Sequence, residues 1–217
     1  MNYMLLVYSP EQAWTREEWT QCTVDSTKVC EELASQGRFI AASPLHPVAT
    51  GITVRVREGE RHTTKGPFAE TTEQLGGYFL INVEGLPPYQ FERKGRRFMF
   101  LCYDDEAAWA KAGPEAHRSA MEEALQLVRK LHANGQYCAA APLQPVSMAT
   151  SVRIRDGKRT VTDGPFAETR EILGGFYVVS LEDLDQAVII AAEHSGARVG
   201  SVEVRELVEL PNPTPPH

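Results

Sequence analysis

The chain has 217 residues, 42% of them apolar and 24% charged, which suits one large soluble domain or two small ones and excludes large-scale disorder. Its net charge of −7 disfavours non-specific binding to nucleic acid or to an anionic membrane, because both depend on clustered Lys and Arg. No apolar run approaches the length that spans a bilayer, so neither nucleic acid nor membrane is an expected partner.

Met1 to Tyr8 is apolar but lacks a basic leader, and Ser9-Pro10 stops it after a strand's length, so it reads as a buried strand and not a signal peptide. A helix with the weak stripe Cys22, Val29, Cys30 and Leu33 follows and ends at Gly37. Ile52 to Arg57 alternates apolar and polar residues, Glu58-Gly59 turns the chain, and Arg61 to Thr64 leads away, which predicts a hairpin. Gly77 to Val83 is a near-continuous apolar strand that needs cover on both faces.

The chain then repeats itself. Pro44-Leu45-His46-Pro47-Val48 recurs as Pro142-Leu143-Gln144-Pro145-Val146, an offset of 98 that also maps Val54-Arg55-Val56-Arg57 onto Val152-Arg153-Ile154-Arg155, Gly66-Pro67-Phe68-Ala69-Glu70-Thr71 onto Gly164-Pro165-Phe166-Ala167-Glu168-Thr169, and Leu75-Gly76-Gly77 onto Leu173-Gly174-Gly175. Near the start the offset is 95, with Tyr8 onto Tyr103 and Trp14 onto Trp109, so the second copy carries three extra residues before the Gly that ends its first helix. That helix has the clearer stripe, Met121, Ala124, Leu125, Val128 and Leu131, and stops at Asn134-Gly135. A hairpin through Asp156-Gly157 and an apolar strand from Gly175 to Val179 follow.

Only the second copy continues, through a helix from Leu184 to Ala192 capped by Asp183 or Asp185, into Ser201 to Leu210, where Val202, Val204 and Val208 alternate with Glu203, Arg205 and Glu209. It reads β-α-β-β-α-β, the ferredoxin-like or split βαβ order of an α+β protein. The expected units are a first repeat over 1–86 that lacks the second helix and last strand, a charged linker over 87–96, a complete second repeat over 97–210 and a Pro-rich tail over 211–217. A half-domain alone would leave a bare sheet face and edge, so the repeats are expected to pack together, and the elements missing from the first leave room for a homodimer contact.

Val161 to Gly175, with its core Asp163-Gly164-Pro165-Phe166-Ala167-Glu168-Thr169, resembles the hallmark of the DGPF branch of the YCII-related family. The opening apolar strand, the Trp soon after it and the closing Glu203-Val204-Arg205 match too. The resemblance implies ferredoxin-like repeats that pair sheet to sheet as a dimeric α+β barrel, here formed within one chain, with a pocket between sheet and helices. It also implies either a small-molecule enzyme of the kind that acts on lactone-like or halogenated rings through a His/Asp pair, or an accessory partner of an extracytoplasmic-function sigma factor. Two departures stand out. Lys65 replaces Asp163 in the first copy, and the helix His of that pair has no counterpart in register: counting back from Gly135 lands on Ala124, with His117 two turns further away.

Among the residues themselves, Asp163 is the candidate catalytic group, since a carboxylate beside a Gly-Pro turn can be held rigidly as a general base, although Asp before Gly-Pro is equally a turn former. Arg153 and Arg155 share one face of a strand, either as an anion-binding row or as the solvated face of a hairpin. Glu168, like Glu70, is expected to pair with such an Arg, and Tyr103 and Phe166 complete the set for a small-molecule ligand beside the motif. Cys22, Cys30, Cys102 and Cys138 lack CxxC spacing, which fits a reduced cytoplasmic setting, and the six His show no ligand spacing, so no metal is expected. Gly76-Gly77 and Gly174-Gly175 enter strands and lack a P-loop's Lys, so no nucleotide cofactor is expected and a bulge or close backbone approach explains them. The reading that follows is acid–base chemistry on a small molecule without metal, with the sigma-factor role as its rival.

Overall fold

The computed structural model describes residues 1–69, 71–84, 95–165 and 169–209. In the first copy, β1 (Asn2–Ser9) passes through a 3₁₀ turn at Glu11–Ala13 into α1 (Arg16–Ser35). A reciprocal Thr15/Glu18 capping box starts that helix, satisfying two backbone donors that would otherwise be orphaned. β2 (Phe39–Pro44), β3 (Ile52–Arg57), β4 (Glu60–Lys65) and β5 (Gln74–Asn82) follow. The second copy runs β6 (Arg96–Asp104), α2 (Glu106–Ala112), α3 (Pro114–Ala133), β7 (Tyr137–Pro142), β8 (Thr150–Arg155), β9 (Lys158–Asp163), β10 (Ile172–Leu181), α4 (Leu184–Glu193), α5 (Gly196–Val199) and β11 (Ser201–Glu206). α1 and α3 are both 20 residues long and keep the 98 offset throughout. The three extra residues therefore lie before α3, where α2 replaces the 3₁₀ turn.

β2 and β7 were not legible as strands. Each is built on Ala, Phe39-Ile40-Ala41-Ala42-Ser43 and Tyr137-Cys138-Ala139-Ala140-Ala141, and takes strand form by pairing with β5 or β10. With β7 in place, β11-β6-β10-β7 forms a fully antiparallel sheet in ferredoxin-like order. The hairpin strands counted toward that order are a correction: they lie outside their own copy's sheet. β3 leaves the first copy and pairs with β11, Val54 opposite Val202 and Ile52 opposite Val204, so the sheet extends to six strands, β4-β3-β11-β6-β10-β7. The equivalent β8–β9 hairpin forms a two-stranded sheet by itself, and the first copy is left with β1-β5-β2.

One core lies between the six-stranded sheet and its helices, where Phe98, Phe100, Cys102, Val179, Val202 and Val204 meet Leu127 and Leu131 of α3 and Ala187, Val188, Ile190 and Ala191 of α4. Val54 of the first copy is fully buried in this core of the second. The other core lies between the two sheets, where Met99, Leu101, Tyr103, Phe176 and Val178 face Leu45, Leu75 and Tyr78, flanked by Met4, Leu6 and Tyr8. The two copies thus pack sheet to sheet within one chain. Register slips at Gly76 and Gly174 confirm the bulge reading of the paired glycines, and a Cβ on Gly77 or Gly175 would stand 3.1 Å from a backbone oxygen of the neighbouring strand.

Candidate functional site

The motif loop of the first copy is held by the last strand of the second. Gly66, at φ +97°, donates to the Gly51 carbonyl at 2.9 Å, and Thr53 Oγ1 donates back to the Gly66 carbonyl at 3.1 Å. The Phe68 N–H then donates to the Glu203 carboxylate at 3.0 Å, while the Phe68 ring stacks on Tyr103 with centroids 3.7 Å apart. Arg205, fully buried, donates to Glu203 at 3.1 Å and to the carbonyls of His46 and Leu75, so all three guanidinium nitrogens are engaged. Burial, and then the Glu203 charge, push the Tyr8 phenol up to about 12 and hold that of Tyr103 well above its ordinary value. With its charges paired and its donors satisfied, this cluster locks the two copies together.

A second polar cluster gathers at the C-terminal end of β6. Asp104 lies against three glycines that leave space for its carboxyl. A Cβ on Gly174 would stand 2.5 Å from Oδ2, one on Gly196 would stand 3.2 Å from Oδ1, and one on Gly200 would stand 3.3 Å from the Asp104 Cα. Oδ1 is buried and has no hydrogen-bond partner among the described residues. Burial raises the Asp104 pKa above the ordinary carboxylate value; a hydrogen bond from Trp109 opposes the rise, the Glu171 charge adds to it and the His117 charge opposes it. The Trp109 and His117 rings meet edge to face at 5.7 Å. Ser201 Oγ donates to Glu171 at 2.7 Å, and Arg55 of the first copy stands 3.9 Å from the same carboxylate. Acid, imidazole, indole, hydroxyl and guanidinium groups from both copies therefore converge on one strand end.

Behind this cluster His194 is half-buried. Its Nδ1 accepts from the Gly196 N–H at 3.0 Å, and its ring sits edge-on to Tyr177 at 5.2 Å. Burial, with the Arg198 charge, lowers its pKa to about 4, so the ring is neutral near pH 7.

The expected ligand residues that the structure describes are Asp163, Arg153, Arg155 and Tyr103. Asp163 is exposed at the end of β9, opposite Thr150 in register. Tyr103 serves the first copy's motif instead, beneath Phe68. Arg153 and Arg155 do form a row that binds a carboxylate, that of Glu73, at 3.4 and 2.7 Å. Arg55 and Glu171 are the same pair at offset 98, so the contact is reciprocal between the copies. Phe166, Glu168 and Glu70 lie outside the described residues, as do most of the linker and the Pro-rich tail. A crevice between the sheets, lined by Tyr78, Arg97, Cys138 and Phe176, encloses about 20 Å³, room for one water. Among the described residues no cluster of three His, Cys, Asp or Glu side chains is placed to hold a metal, and no helix is long and apolar enough to cross a membrane.

Asp104 itself escaped the sequence reading. In Tyr103-Asp104-Asp105 it looks like turn chemistry, and Asp105 is indeed the cap of α2, accepting from the Ala108 N–H at 3.0 Å. A cue was available in the repeat alignment, because the first copy has Ser9 where the second has Asp104.

Compared with known proteins, the chain matches the model of the YCII-related domain twice, over residues 1–87 and 96–211. An uncharacterized protein of Rhizobium meliloti (strain 1021) is 36% identical over 122 residues, a stretch that covers 53% of this chain and 98% of that protein.

Proposed function

The chain belongs to the YCII-related domain family through both of its copies, and on that premise we propose that the second copy binds a small carbonyl-bearing molecule beside Asp104 and moves a proton on it. The observation that carries this reading is the buried Asp104 Oδ1, without a partner among the described residues, on a carboxyl whose pKa burial has raised. A carboxyl of that kind spends more of its time protonated than an exposed one, so it donates a hydrogen bond to a carbonyl or leaving oxygen, and once ionised it recovers the proton. His117, whose ring meets that of Trp109 edge to face, is the candidate for the complementary transfer. There is one such site per chain, since the first copy has Ser9 and Trp19 at the equivalent positions.

A thermal-shift screen against small carboxylic acids, lactones and phosphorylated metabolites tests the proposal, using the wild type, Asp104→Asn and Asp163→Ala. Ligand binding stabilises the folded state according to its occupancy, so a hit appears without knowledge of the reaction. The expected result is a shift in wild type and Asp163→Ala that disappears in a folded Asp104→Asn protein. Loss of the shift in Asp163→Ala alone would return the site to the motif loop, and no shift with any compound would overturn the ligand reading.

A further inference from the structure

In the second copy, α4 and β11 complete the sheet. β11 pairs with β6 from Ser201 opposite Tyr103 to Glu206 opposite Phe98, and its other edge takes β3. The β6 residues Phe98, Phe100 and Cys102 beneath α4 are no more than 2% exposed. The same positions in the first copy, Tyr3, Leu5 and Val7, are 50, 45 and 44% exposed. Val29 of α1 is 47% exposed where its equivalent, Leu127, is 5% exposed. An open groove runs over this face between α1 and β5, with Trp14, Cys22, Val29 and Phe79 on its floor and Glu18 and Asp25 at its rim. Along Asn2–Val7, β1 pairs with β5 alone among the described strands.

The β8–β9 hairpin is the pseudosymmetric counterpart of β3–β4 and is fastened by the same reciprocal ion pairs, Arg153 to Glu73 in one direction and Arg55 to Glu171 in the other. One strand, β11, separates β3 from β6. Carried over to the first copy by the pseudosymmetry, the same arrangement would set β8 two strand spacings from β1, roughly 9.6 Å, the width of one inserted strand. Val152 and Ile154 on β8 are 59 and 62% exposed. Two edges that no described strand pairs, flanking an apolar face, suit an acceptor for β-strand addition.

We propose that the first copy accepts a helix–strand segment of a partner protein, its strand inserting antiparallel between β1 and β8 and its helix, basic on one face, lying over Tyr3, Leu5 and Val7 against α1. A second copy of this chain does not supply that segment. Each chain has a single α4–β11 unit, and its Val202 and Val204 are already fully buried at home. Charge gives the same answer. In the second copy, Lys130 of α3 holds Glu193 of α4 at 2.6 Å, and Glu123 of α3 pairs with Arg198. The α1 residues at those places are Glu32 and Asp25, so the chain's own unit would set Glu193 against Glu32. The fitting occupant is cationic at both contacts, which also suits a chain of net charge −7.

The test uses the full chain and two synthetic peptides of its residues 183–207, one unchanged and one carrying Glu193→Lys. Binding is followed by the fluorescence of the exposed Trp14 and Trp19, and the site is mapped by amide exchange. The Glu193→Lys peptide should bind one to one and about tenfold more tightly than the unchanged peptide. Protection should rise at Asn2–Val7 and Thr150–Arg155, and a Leu5→Glu chain should lose the binding. No binding, equal affinity of the two peptides, or protection confined to β3 and β6 through strand exchange would overturn the proposal. So would slow exchange of Asn2–Val7 in the chain alone, which means the gap is already filled; sedimentation then tells a second copy from the chain's own residues 85–94 or 210–217.

Discussion

Two half-buried titratable groups, Asp104 and His194, both lie against Gly196 and respond to pH in opposite directions. Asp104 binds its proton more tightly in the folded chain than in the unfolded one, so its contribution is greatest below the ordinary value of 3.8 and is lost as pH rises through the folded value. Asp104→Asn keeps the shape and removes the charge. It should be more stable than wild type at neutral pH, with a flatter dependence on pH, as read by guanidinium unfolding at pH 4 and pH 7. For His194 the folded value of about 4 lies below the ordinary 6.5, so its stabilisation is present above 6.5 and is lost as pH falls through 4. Between pH 7 and pH 5 that loss is about 2 kcal/mol, and His194→Gln should abolish it. The Glu203–Arg205 pair makes a third case. Arg205→Met strands a buried carboxylate and should cost about 3–5 kcal/mol in denaturant unfolding. The sequence displayed the motif and the closing Glu-Val-Arg at this scale, but not that they grip each other across copies, because Phe68 and Glu203 are 135 residues apart.

At the level of elements, identical sequence has been put to opposite uses. Val54 and Val152 occupy the same place in the duplicated Val-Arg-x-Arg strand, yet Val54 is fully buried between β11 and the helices while Val152 is 59% exposed on a lone hairpin. Val54→Ala should therefore destabilise the chain by about 1–3 kcal/mol, whereas Val152→Ala should change it by less than about 0.5 kcal/mol. Comparable losses in both variants, measured by denaturant unfolding, would mean that the β8 hairpin is packed as well as its twin. Alternation in Ile52–Arg57 was enough to read a strand pair, because one face of it meets apolar neighbours. Nothing local said which sheet it would join. The Ala-rich β2 and β7 were missed for the complementary reason: small side chains carry little strand preference, and pairing to β5 and β10 supplies what propensity does not.

For the whole molecule, the second repeat is complete in sequence but not in structure. It takes β3–β4 as the outer strands of its sheet and buries Met99, Leu101, Phe176 and Val178 against the first copy's sheet. A fragment spanning residues 95–217 should therefore expose that face, self-associate in sedimentation and unfold over a broader denaturant range than the full chain. A monomeric fragment with a sharp transition would show that the docked hairpin and the sheet-to-sheet core are dispensable.

What the sequence determined by itself was the duplication, the α+β class and the family, because each is written in local periodicity or in a long motif present twice. It also showed that the first copy stops short, since a missing helix and strand are visible as missing residues. Only the tertiary structure decided that the first copy's hairpin extends the second copy's sheet, that Arg153 and Arg155 close on Glu73, and that the Asp104 Oδ1 is buried near Trp109 and His117. Those outcomes depend on which of two chemically equal edges a strand finds, and on how far a carboxyl is withdrawn from water. Both are properties of packing between segments about a hundred residues apart, and neither leaves a periodic trace along the chain.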